Sequence, residues 1–188
     1  MGTNGHTITE AVDFMKSTRC IALFRSYSES FRSLRMLAGA GFPDENIAVL
    51  ELLAGRRAAA PSLPVAAFRK DAEIIRCADN AAVLVSGFLQ PLFAGAVTPG
   101  AAGACRKIMA DILAEMGLPP VCRCNYAAAL ELGQIMIIVR GPVAQVDRAA
   151  DLLATGKEIE VAVYQRELLS GPDSEAAIDG EHIFEERA

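Results

Sequence analysis

Histidine is nearly missing from this chain: its 188 residues include only His6 and His182, one near each end. A histidine-based catalytic or metal site in the core is therefore excluded. No Ser/His/Asp set, no HExxH helix and no paired carboxylates at a defined spacing can be assembled, so no enzymatic chemistry is expected and no cofactor is implied. The glycine-rich stretches GAGF (39–42) and GAAGAC (100–105) lack the Lys-Ser/Thr that a phosphate-binding loop requires. A basic excess is also missing. The formal net charge is −5, and all of that excess lies from Ser170 onward, where six carboxylates face Arg187 alone. Residues 1–169 balance to zero, so no basic face is on offer and nucleic acid is not an expected partner.

The first twenty residues are polar and mixed in charge, without the apolar core of a secretory signal, which leads us to expect a cytoplasmic protein. Five cysteines, Cys20, Cys77, Cys105, Cys122 and Cys124, are an odd number and fit free thiols in a reducing compartment. Charge is absent from Asn80 to Cys105. Length alone would let such a run cross a membrane. Gln90, Pro91, Thr98, Pro99 and the glycines break it, giving instead a helix over about 81–97 and a small-residue turn. The next piece, RKIMADILAEMG (106–117), is amphipathic, with Ile108, Ile112, Leu113 and Met116 on one side. Together they read as an apolar helical hairpin.

What is present on either side of that hairpin is one pattern, used twice. CIALF (20–24) is a run of strand length. Ser26 and Glu29 form a capping-box spacing ahead of Phe31, Leu34, Leu37 and Ala38, which recur at helical intervals. Gly39, Gly41 and Pro43 stop that helix, and NIAVLEL (46–52) is strand-like. QIMIIVRG (134–141) has the unbroken apolar character of a strand covered on both faces. Pro142 then opens a helix that Gly156 closes, and EIEVAVYQ (158–165) alternates as an edge strand does. Two β-α-β units in one short chain predict an α+β, ferredoxin-like fold: a four-stranded antiparallel sheet with two helices on one face. The expected organisation is an extension at 1–19, a single domain at 20–165 with the connector and helical hairpin inserted at about 53–118, and an acidic tail at 166–188.

Phe24, Leu37 and the Ala40-Gly41-Phe42 stretch before the second strand carry a resemblance. So do Gly117-Leu118-Pro119, Tyr126 seven residues after that proline, and Gly133 seven after the tyrosine, ahead of IMIIV. In this order and spacing the chain resembles the bacterial heat-induced or general stress protein domain, whose function is largely unknown. It departs from the usual pattern at Ser30-Phe31 and at Arg123 with its flanking cysteines. The resemblance implies a bacterial stress-type protein.

Cys122 and Cys124, spaced C-x-C, are the candidate metal ligands, suited to a soft ion such as Cu(I). A structural zinc site wants four ligands, and the other cysteines are isolated in sequence. The plainer reading makes them small apolar residues at the entry to the helix NYAAALELG. There Tyr126 packs with its hydroxyl on a backbone group, and Gly133 is the stop. Three functions follow as expectations. The first is a non-enzymatic structural or interaction protein that forms a homo-oligomer or docks a protein partner. The second is a peripheral membrane protein held by residues 81–97, and the third a binder of an apolar small molecule or soft metal.

Overall fold

In the computed structural model, residues 18–53, 70–76, 82–96, 105–155 and 160–164 are described. The chain enters the sheet at β1 (Thr18–Phe24), every residue of which is buried. Thr18 and Arg19, expected in an extension, are its first two residues. Helix α1 (Tyr27–Gly39) starts where expected: the Ser26 Oγ accepts the Glu29 N–H at 3.3 Å. It stops at Gly41, whose φ of +82° lets Phe42 donate back to the Leu37 carbonyl. A 3-10 turn at Asp44–Asn46 leads into β2 (Ile47–Leu53).

The middle of the chain differs from the sequence expectation. The connector contributes a strand, β3 (Glu73–Arg76), and the uncharged run does not form one helix over 81–97. It forms β4 (Ala82–Ser86), a 3-10 turn (Gly87–Leu89) and the short helix α2 (Gln90–Ala96). Two helices follow, α3 (Cys105–Glu115) and α4 (Pro120–Glu131), then β5 (Ile135–Gly141), α5 (Val143–Leu153) and β6 (Glu160–Tyr164). Gly117 and Gly133, both at φ +79°, end α3 and α4. In each case the next residue donates back into the last turn, Leu118 to the Leu113 carbonyl and Gln134 to that of Ala129. Gly156 lies outside the described residues.

Among the described residues the sheet thus has six strands rather than four, in the order β3-β4-β2-β5-β1-β6, and every neighbouring pair is antiparallel. The two β-α-β units interlock. β5 lies between β1 and β2, while β1 lies between β5 and β6, so each helix crosses over a strand of the other unit.

Both faces of the sheet are covered. Cys20, Ala22, Phe24, Val49, Ile137 and Val139 pack under Leu34 and Leu37 of α1 and Val146, Ala149 and Leu153 of α5. Ile21, Leu23, Leu50, Val83, Met136 and Ile138 pack under Phe93 of α2, Met109 and Leu113 of α3, and Leu130 of α4. This three-layer arrangement explains why β1, β2, β4 and β5 read as nearly continuous apolar runs: alternate residues point into two different cores, and neither set meets water.

Candidate functional site

Helix α4 begins at Pro120, earlier than the sequence suggested, because proline needs no donor in a first turn. Cys122 and Cys124 therefore lie within the helix. Residues two apart on a helix do not face each other. Cys122 is half-buried and packs against the core under α4, whereas Cys124 is exposed. Cys20 is buried, and burial, reinforced by Asp147, pushes its thiol up to about 12, so it remains protonated. Among the described residues no group of three or more His, Cys, Asp or Glu is placed to hold a metal ion. Cys77 lies outside them.

One turn beyond Cys122, Tyr126 is buried, and its hydroxyl meets the hydroxyl of Tyr164 on β6 at 2.9 Å. The rings pack edge to face at 6.2 Å. A side-chain partner thus replaces the backbone partner expected for Tyr126. Burial is the main cause that raises Tyr126 to about 12, opposed by its bond to Tyr164; burial and the bond to Tyr126 both move Tyr164 upward. Tyr164 stands in register with Arg19 of β1. Arg19 is buried and donates to the Met116 carbonyl just past the end of α3, where the helix dipole favours a cation. The cluster therefore ties α3 and α4 to the β1-β6 end of the sheet.

A raised phenol pKa carries a sign. The folded state holds the Tyr126 proton more tightly than the unfolded chain, so its contribution to stability is fully present below about pH 10 and is lost as pH rises toward 12. The loss amounts to on the order of 2–3 kcal/mol for such a shift. Tyr164→Phe removes the partner hydroxyl and is expected to cost about 1 kcal/mol at neutral pH. Urea unfolding at pH 8 and at pH 11 reads both effects. A stability independent of pH over that interval would show that Tyr126 is not protected.

A second feature is a cleft of about 580 Å³ at the same end of β5, where Arg140 pairs with Arg19, lined by Asp44, Glu45, Lys70, Asp71, Gly87, Phe88 and Arg140. The Arg140 guanidinium lies 4.5 Å from the centre of the Phe88 ring. Asp71 accepts the Gly87 N–H at 2.6 Å. Among the described residues its lining mixes carboxylates and cations. A third polar contact is internal: Glu51 is fully buried on β2 and accepts from the Tyr27 hydroxyl of α1.

Sequence reasoning found Tyr126 and both cysteines but missed Tyr164, Arg19 and Arg140. The alternation in EVAVY does place Tyr164 on the same sheet face as Ala162, and this was the available signal. Comparison of the chain with family models, curated proteins and solved structures gives no match.

Proposed function

We propose that this chain is a non-enzymatic structural or interaction protein of the general stress protein type, acting through self-association or the docking of a protein partner. The observation that carries this reading is an open six-stranded sheet whose two faces are already buried under helices, leaving its edge strands β3 and β6 without a second neighbour among the described residues. Unpaired edge N–H and C=O groups are a template for another chain. We also read the four strands β2-β5-β1-β6, with α1 and α5 above them, as a ferredoxin-like unit widened by β3 and β4. The support is the strand order and the two interlocked crossovers.

This reading is favoured over membrane attachment through residues 81–97. Val83, Leu84, Val85, Leu89 and Phe93 of that run are turned into the core, and among the described residues no helix is long and apolar enough to cross a membrane. Light scattering on the full chain, purified without detergent and under reducing conditions, is expected to give a mass above that of one chain at micromolar concentration and to fall on dilution. A single-chain mass throughout, together with no captured protein partner, would remove the reading.

A further inference from the structure

We infer that β6 is the self-association edge: a second copy of this chain pairs with it antiparallel about a two-fold axis at Ala162. This rests on the self-association reading above and specifies its surface and geometry.

The two edges of the sheet differ in their defences. Natural edge strands discourage pairing with charge, proline, bulges or shortness. β3 spans Glu73–Arg76 and carries an exposed charge at each end. β6 reads Glu-Val-Ala-Val-Tyr: one charge, no proline, no glycine and no lysine, with Val163 39% exposed. An exposed valine on a strand with no second neighbour among the described residues is the opposite of protection.

The register follows from the pleat. A two-fold axis normal to the sheet keeps each face continuous, so paired residues must lie on the same face, and their numbers must differ by an even count. Pairing with β1 fixes the faces. Val161 and Val163 lie opposite Ala22 and Cys20, on the α1/α5 side, while Glu160, Ala162 and Tyr164 lie opposite Leu23, Ile21 and Arg19, on the α2–α4 side. Centring on Ala162 pairs all five residues. Ala162 meets its own copy, Val161 meets Val163, and Glu160 meets Tyr164. The strand's single carboxylate then faces a phenol and never its own copy. Shifting the centre to Val161 or Val163 leaves two residues of each strand without a partner among the described residues. Apolar pairs across antiparallel strands are favourable, and like charges directly opposite are not.

Five residues span only about 17 Å of edge. The association is therefore expected to be reversible and weaker than that of an obligate dimer, whose interface buries more than about 2,000 Å².

The test uses the full-length chain. In sedimentation velocity under reducing conditions, Val163→Lys places an ammonium opposite Val161 of the second copy and is expected to weaken dimerisation at least about tenfold, a change of 1.4 kcal/mol, with an unchanged circular dichroism spectrum. In a Cys124→Ser background, Ala162→Cys is expected to give a disulfide-linked dimer on mild oxidation, and Val163→Cys much less of one, since only residue 162 meets itself. A wild-type dimer that Val163→Lys leaves intact, or an Ala162→Cys chain that crosslinks no more than Val163→Cys, overturns the β6 assignment while self-association stands. A wild-type chain that is monomeric at every concentration overturns both. Should Val163→Lys fail to fold, the comparison of the two cysteine variants decides alone.

Discussion

Gly87→Ala is expected to cost about 3–5 kcal/mol, enough to take much of the stability of a domain this size. Gly87 follows β4 and turns the chain over the start of β2. Its φ of +72° already disfavours any side chain, and a Cβ there would lie 1.9 Å from the Ile47 carbonyl oxygen and 2.9 Å from the Ile47 carbonyl carbon. Both atoms are backbone at the start of β2, where Ile47 pairs with Val139 of β5, so neither can yield without disturbing that ladder. The Gly87 N–H also holds Asp71, so the same change loosens the turn before β3. Gly95→Ala is the control. Its Cβ would meet nothing within 4 Å, and its position in α2 predicts a gain of up to about 1 kcal/mol. Urea midpoints of the two variants should move in opposite directions; equal midpoints would contradict the described turn.

Phe93→Ala is expected to cost about 3–5 kcal/mol, through lost burial and the cavity left behind. Phe93 is fully buried in the core between the sheet and α2–α4. The comparison that gives this number meaning is Leu132→Ala. Leu132 is 81% exposed just past α4, and its truncation is expected to stay within about 0.5 kcal/mol. The Phe93 variant also asks what the uncharged run is for. A segment turned outward to lipid or solvent would lose Phe93 at little cost to folding, whereas a run folded into the sheet and its helices cannot. A Phe93→Ala midpoint equal to that of wild type would return the run to the outside of the protein.

The local parts of this fold were legible because their signals are local. Ser26 three residues before Glu29, Gly41 ahead of Pro43, and Gly133 ahead of an apolar strand each specify a helix end through backbone chemistry that needs no distant partner. AVLVS at 82–86 was not legible. A five-residue apolar run has no period that separates a doubly buried strand from a turn and a half of buried helix, and its neighbour FLQPLF extended the helical reading. The Gly87 bend, which separates the strand from α2, has a reason only when Ile47 is seen beneath it.

The sites failed to show for a related reason. Tyr126 and Tyr164 are 38 residues apart, and the cleft draws on residues 44, 70, 87 and 140. Strand order alone brings them together. Arg19 looked like part of a polar extension because a buried arginine is rare. Its burial depends on the Met116 carbonyl at the end of a helix nearly a hundred residues later.

Native mass spectrometry of the full-length chain, purified without detergent under reducing conditions, tests the central claim most directly, since it reads assembly mass and bound species together. The account predicts a ligand-free homodimer in equilibrium with monomer. A strictly monomeric chain, or one carrying a stoichiometric lipid, metal or small molecule, would contradict it.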